Sequence, residues 1–289
     1  FVHIPVKLKA GVNEFLFSLG VKPIAAKLVP PPAAAFISDR DILVPSLVAG
    51  RDTDGPVGVV VVNASVQPLS GARIRIASDL PEKEAWVGLG FMPALTEKKI
   101  ALPARFTSSS ARAAGTLHSA PVTLAARDGT VLHTPTVGLA TVSSADRRVV
   151  TRISTIDGSA QYYTLVPSTA SSADGDPIPG ILFDLHGGEV EAINMSSLTP
   201  KKEAHVVCPT NRRPIGFAWD NWGCIDFTEA VAHARANLVN DPRRSWLCGN
   251  SMGGYGTRLL GARFPGEFAA IAPTAGYIRD ETVSPAISG

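Results

Sequence analysis

Charge of either sign is scarce in this 289-residue chain. Charged residues make up 18% of it, below the roughly 25% of an average globular chain. The 27 Lys and Arg are nearly matched by 25 Asp and Glu, for a net charge of +2. So even a balance gives no footprint for nucleic acid or for an anionic membrane surface. The pairs Arg212-Arg213 and Arg243-Arg244 stand alone and read as solvated surface. No apolar run approaches the ~18 residues that would indicate a membrane span; the richest, residues 57–62, reads as a buried strand. An initiator methionine and a signal-peptide pattern are both missing at Phe1, so the chain is expected to have lost residues in front, and no compartment can be taken from a leader. There are three cysteines, an odd count without metal-ligand spacing. Cys208 and Cys248 end apolar runs, where buried thiols are common, and a Cys208–Cys224 disulfide is left open. Nothing in the sequence calls for a metal or an organic cofactor.

What is present divides into two halves of different character. Residues 1–20 alternate apolar and polar side chains on either side of Lys9-Ala10-Gly11, which predicts two short strands around a turn. Residues 30–35, Pro-Pro-Pro-Ala-Ala-Ala, read as a stiff extended linker. Between 36 and 143 the pattern is short strands and many turns: a continuous apolar strand at 57–63, alternation at 72–77, strands at 122–125 and 131–133 flanking Arg127-Asp128-Gly129, and a closing strand at 137–142. Strands at this spacing with almost no helical period predict an immunoglobulin-like β-sandwich. His118 and His133 read as ordinary strand or loop histidines.

From about residue 147 strands and helices alternate. Strands are expected at 149–156 and 161–166 around an Asp157-Gly158 turn, then at 181–185, 205–208 and 268–272, with helices at 191–198 and 225–240. That alternation means βαβ units and a mostly parallel sheet. The second helix puts Phe227, Ala230, Val231, Ala234 and Leu238 on an apolar face, and Asp226, Glu229, His233 and Asn237 on a polar one.

The chemistry-bearing stretch is Gly249-Asn250-Ser251-Met252-Gly253-Gly254. It follows a short apolar run and leads into a helical pattern. Gly-x-Ser-x-Gly between strand and helix is the nucleophile elbow of α/β-hydrolases: the serine sits on a strained turn whose flanking positions admit only glycine. Ser251 is the candidate nucleophile, and the helix N-terminus beside it offers backbone N–H groups to a developing oxyanion. His186-Gly187-Gly188 follows a strand 65 residues earlier, where that fold carries its oxyanion loop. Gly187, Gly188 and Met252 are therefore the candidate oxyanion donors, each such donor being worth about 2.7–4 kcal/mol of transition-state stabilisation. The loop 209–223 leaves the C-terminal end of a strand, the side on which open α/β sheets bind ligands. Asn211, Arg212, Arg213, Trp219 and Trp222 are its candidate substrate contacts, with packing of both tryptophans onto the domain as the alternative.

On these residues, 147–277 resembles the esterase and prolyl-oligopeptidase-like branch of the α/β-hydrolases, the likeness being to serine hydrolases that carry β-sandwich modules ahead of the catalytic domain. The matching stretches are 156–163, 185–188, 209–214, Trp222-Gly223 with Asp226, and 249–256. Residues 8–15 are similar to the closing hairpin of a jelly-roll module, so 1–30 would be the end of such a module plus a linker, 36–143 a sandwich, and 147–289 the N-terminal part of a catalytic domain. The resemblance implies a Ser-Asp-His triad, an ester substrate that is in some members carbohydrate-linked, and secreted or periplasmic work on polymers. Peptides are the alternative substrate, and a relict fold that only binds is the alternative outside enzymes. Asn250 stands where many relatives have histidine.

Chain order in this fold is Ser, then Asp, then His. The 38 residues after Ser251 hold no histidine, and their only aspartate is Asp280, too early for the usual triad carboxylate. His186, His205 and His233 read as poor substitutes: one in the oxyanion loop, one beginning a strand, one on a helix's solvent face. A second fragment of the same polypeptide is therefore the expected partner, supplying Asp and His.

Overall fold

A computed structural model describes residues 3–17, 25–108, 113–195, 197–212 and 216–277. The chain divides into two compact units that interleave in sequence: Phe1–Leu43, Pro56–Phe106 and Ser119–Gly138 form one, and Val44–Gly55, Thr107–His118 and Leu139–Gly289 the other.

The first unit is built of strands. Val57–Asn63 is buried at every position, as its unbroken apolar run requires. It pairs antiparallel with Ala35–Ile37 on one side and Thr96–Leu102 on the other. Arg73–Ile76 alternates as expected, with Ile74 and Ile76 buried and Arg73 exposed. Its partner, the strand Leu117–Ala125, also pairs with Val131–His133. The hairpin between those two has Gly129 at φ 91° and Asp128 accepting the Thr130 N–H at 2.9 Å. The two strands expected within 1–20 do not form among the described residues: 3–17 joins no ladder. The turn there is real, closed by Asn13, whose Oδ1 accepts from the Lys9 N–H at 2.9 Å and whose Nδ2 donates to the Lys9 carbonyl at 2.8 Å. With no strand opposite it, the alternation leaves Ile4, Leu8 and Val12 exposed rather than in a core.

The second unit carries the α/β part. Its elements are β1 (Arg148–Ile153), β2 (Ala160–Val166), β3 (Gly180–Leu185), β4 (Ala204–Pro209), α1 (Asn221–Asn237), β5 (Ser245–Asn250), α2 (Met252–Arg263) and β6 (Ala270–Thr274). The six strands form one sheet in the order β1-β2-β4-β3-β5-β6. The hairpin β1-β2 and the β2–β4 pair are antiparallel; β3 pairs in parallel with β4 and β5, and β5 with β6. The expected βαβ arrangement thus holds, with an antiparallel edge. Ile181, Phe183 and Leu185 of β3 point into one core with Phe227, Ala230 and Ala234 of α1 and Leu247 of β5. Val206 and Cys208 face a second cluster with Met195 and Leu198.

Three expectations for this half need correction. The helix at 191–198 is only a single turn, Ala192–Asn194, because the segment lies over the sheet as an irregular cover. Helix α1 begins four residues earlier than its periodicity indicated, after Asp220, and ends at Asn237 where Leu238 turns extended. Its supposed polar face is largely packed: Asp226 is fully buried against Arg152, and His233 lies half-buried against Tyr163. The thiols of Cys208, Cys224 and Cys248 are all free, which closes the question of a Cys208–Cys224 disulfide.

Among the described residues no helix is long and apolar enough to cross a membrane.

Candidate active site

Ser251 stands between the last residue of β5 and the first of α2, with φ 57° and ψ −119°. A non-glycine residue held at positive φ costs on the order of 1–3 kcal/mol and persists only where its surroundings over-determine it. Those surroundings are visible. The Ser251 N–H donates to the Thr274 carbonyl of β6 at 3.0 Å, and the Ser251 carbonyl accepts from the Tyr255 N–H at 3.0 Å. A Cβ on Gly249 would lie 2.5 Å from the Gly253 carbonyl oxygen, one on Gly253 2.0 Å from that of Leu185, and one on Gly254 2.2 Å from that of Thr274. Helix α2 is thus pressed against β3 and β6 at its first turn, and the serine side chain is pushed out into solvent.

The loop after β3 comes to the same place. Leu185 pairs with Gly249, and a Cβ on Gly187 would meet the Cβ of Ser251 at 3.9 Å. His186 is fully buried, with Nδ1 2.8 Å from the Gly187 carbonyl oxygen and Nε2 2.9 Å from that of Thr210. The Val190 N–H also reaches the Gly187 carbonyl, at 3.4 Å. That carbonyl is therefore held toward the protein, and the trans peptide sends the Gly188 N–H the opposite way, to the open side. The first N–H groups of α2, starting with Met252, have no intrahelical partner. Gly187 and Met252 are thus placed beside Ser251, with Gly188 next in the same loop.

The loop 209–221 is placed differently from its expected role. Asn211, fully buried at φ 52°, accepts the N–H groups of Phe217 (3.3 Å) and Trp219 (3.2 Å) on its Oδ1. A Cβ on Gly223 would sit 2.0 Å from that same oxygen. Trp219 has no exposed surface: its ring lies 5.0 Å from His186, and a Cβ on Gly256 would stand 2.4 Å from its Cδ1. Both residues are the loop's internal frame, not a substrate wall. Arg212 donates to Asp157 at 2.6 Å and to Ser154 at 2.9 Å, so its charge is spent on the β1-β2 turn. Its guanidinium also lies 4.9 Å from the ring centre of Trp222. Of the four described candidates, Trp222 is the one left facing solvent, 38% exposed. Arg213 lies outside the described residues.

Sequence reasoning missed the network behind this loop. Arg152 of β1, 2% exposed, donates to Asp226 at 2.5 Å and to Glu229 at 2.6 Å. Asp226 also accepts from Thr210 at 3.2 Å. Glu229 takes the N–H and hydroxyl of Thr155 at 2.7 and 2.8 Å. Burial alone would raise Glu229, but the bonds from Thr155 and Arg152 outweigh it and hold its pKa below the usual carboxylate range. Burial likewise works against ionisation of Asp157, yet the bonds from Ser159 and Arg212 bring it down to about 2. Tyr255, one turn past the nucleophile, gives its hydroxyl to Asp220 at 3.0 Å and stacks on Tyr277 at 4.7 Å.

The three imidazoles of residues 139–277 are all held away from Ser251's proton. Both nitrogens of His186 face carbonyls. His205 is level with Ser245, both being paired to Ile181, so it lies at the other end of the strands, about 20 Å from the elbow at ~3.3 Å per residue. His233 meets the Tyr163 hydroxyl at 3.2 Å, on β2, three strands from β5. The thiols do not compete as nucleophiles: burial and the neighbouring Asp184 carboxylate push Cys248 up to about 12, and burial raises Cys208 as well. Among the described residues no group of three or more His, Cys, Asp or Glu side chains gathers as a metal site.

No protein-family model matches the sequence, and no curated protein matches it. Solved structures do. One is S-formylglutathione hydrolase FrmB of Staphylococcus aureus, 16% identical, covering 47% of this chain and 60% of that one, with a TM-score of 0.40. Another is the fluorophosphonate-binding serine hydrolase FphF of the same organism, at 20%, 45%, 57% and 0.40. A thermostable esterase gives 16%, 80%, 77% and 0.39. The chain spans about three-fifths of the length of the first two.

Proposed function

We propose that this chain carries the nucleophile side of a serine hydrolase that cleaves carboxylic esters. The observation that supports it most is Ser251: a serine held at φ 57° at the C-terminal end of a parallel strand, exposed, with a helix N-terminus and the Gly187-Gly188 loop beside it. In this reading the Ser251 hydroxyl attacks the ester carbonyl and the oxygen turns into the N–H groups of Met252 and of Gly187 or Gly188. Those donors are fixed before reaction, so they stabilise the developing charge without reorganising. Collapse expels the alcohol and leaves an acyl-enzyme, which water then hydrolyses.

A serine hydroxyl needs a base at neutral pH. The aspartate and histidine of the triad are supplied from outside these 289 residues, because the imidazoles of the α/β part are committed elsewhere. Trp222, in the first turn of α1 beside Arg212, is read as a side chain that touches substrate. The strands of the first half are read as an immunoglobulin-like sandwich, an arrangement suited to secreted or periplasmic work on an ester linked to carbohydrate.

The test is hydrolysis by the full-length protein, assayed on a panel of acyl esters beside matching peptide amides. Ester turnover that disappears in Ser251→Ala is expected. Turnover of the amides alone would replace the esterase reading with a peptidase, and turnover that survives Ser251→Ala would remove Ser251 from the chemistry.

A further inference from the structure

The first unit contains a cavity of about 460 Å³ that plays no part in the hydrolase reading. It lies wholly within that unit, between the extended segments 3–6 and 27–32 and the strand Ala35–Ile37. A volume of this order suits a small organic ligand. The apolar side chains around it are poorly covered by protein: Ile4, Leu28 and Val29 are each more than half exposed. Large apolar groups left open around one cavity mark a surface that a ligand would cover.

The polar groups sort by what they still need. Ser38 Oγ accepts from the Arg40 N–H at 3.0 Å and lies 2.9 Å from His3 Nδ1. His3 Nε2 faces Asp39 at 3.7 Å. Arg40 reaches the same carboxylate oxygen at 3.4 Å, so Asp39 already has two partners. His133 accepts the Ile37 N–H on Nδ1 at 3.1 Å, which fixes its proton on Nε2. Burial lowers the pKa of His133, which favours this neutral form. Among the described residues neither that Nε2–H nor the Lys27 ammonium has a bonding partner. Phe36 sits edge-on to both imidazoles, at 5.8 and 6.2 Å. The cavity therefore offers two donors without a protein acceptor among the described residues, one of them cationic, and apolar walls.

We propose that this cavity binds a medium-chain monocarboxylate, its carboxylate held by Lys27 and the His133 Nε2–H and its hydrocarbon body lying against Ile4, Leu28, Val29 and Phe36. Such an acid is of the class an ester hydrolase releases, but the site does not depend on Ser251 and stands or falls separately from it. Donors without protein acceptors, one of them cationic, favour an anion over a neutral alcohol of the same length, because charge-assisted hydrogen bonds are the stronger ones.

The test is calorimetric titration of the full-length Ser251→Ala protein with decanoate and with decanol, followed by the ring ¹⁵N signals of the histidines. Saturable binding of decanoate, a shift of the His133 signal, and binding at least tenfold weaker for decanol are expected. Lys27 is exposed, so Lys27→Met should keep the melting temperature while weakening decanoate at least tenfold and decanol little. Ile42→Trp, which fills the cavity, should abolish both. Equal affinity for acid and alcohol, decanoate binding that survives Ile42→Trp, or no saturable binding at all would each overturn the proposal.

Discussion

A methyl group on Gly253 would stand 2.0 Å from the carbonyl oxygen of Leu185. The obstacle is backbone of β3, which cannot swing aside as a flexible side chain would. Helix α2 therefore approaches the sheet as closely as it does only because this position lacks a Cβ, and that approach is what fixes the turn at Ser251. Gly253→Ala should lower stability by more than the ~1–3 kcal/mol typical of overpacking. Gly188 is the contrast, since nothing lies within 4 Å of its Cβ position. Gly188→Ala should unfold within about 0.5 kcal/mol of the parent, as an uncrowded surface change does. Chemical denaturation of the two variants side by side checks both.

Trp219 of the loop after β4 and Trp222 of the first turn of α1 should separate cleanly. Trp219 is fully buried under His186, and Trp222 is 38% exposed beside Arg212. Trp219→Ala should cost about 3–5 kcal/mol, as deletion of a large buried ring does. Trp222→Ala should leave the unfolding midpoint in place and raise KM for the preferred ester while kcat changes little. An unchanged KM would remove Trp222 from the substrate surface.

Asp226 lies at the centre of the buried network, between Arg152 and Thr210. Asp226→Ala leaves the Arg152 guanidinium, 2% exposed, without its closest counter-charge. Breaking a buried pair in this way costs about 3–5 kcal/mol. The measurement is the urea midpoint, and a loss under 1 kcal/mol, ~fivefold in the folding equilibrium, would show that Glu229 suffices for Arg152.

Acid should act through the same network. Asp157 is brought down to about 2, and Glu229 is held below its ordinary value. Both are lower folded than unfolded, so their contribution is complete above the usual carboxylate range and is lost as pH falls through the folded values. Stability should therefore hold down to about pH 5 and fall below it, with the Asp157 share lost last. Asp157→Asn should flatten the lowest part of that profile. Melting temperatures measured from pH 7 to pH 2.5 test it.

The elbow was legible in sequence because its constraint is local: three glycines at fixed offsets around a serine, between a strand and a helix, report a close approach of backbone to backbone. The parallel sheet was legible for the same reason, since 181–185 and 205–208 are apolar runs of strand length. What sequence could not show was set by long-range partners. Asp226 and Glu229 sit at helical spacing like any solvated pair, and only Arg152, 74 residues from Asp226, turns them inward. For Trp219 the sequence leaves substrate contact and packing onto the domain both open, and only the room Gly256 makes for its ring decides for packing. The alternation in 3–17 is a genuine strand pattern, but a strand needs an edge to pair with, and none is formed there among the described residues.

Reaction of the full-length protein with a fluorophosphonate probe, followed by peptide mapping, tests the central claim most directly. A single adduct on Ser251 is expected, absent from Ser251→Ala. A folded protein with no adduct on Ser251, or with its adduct on another serine, would contradict the account.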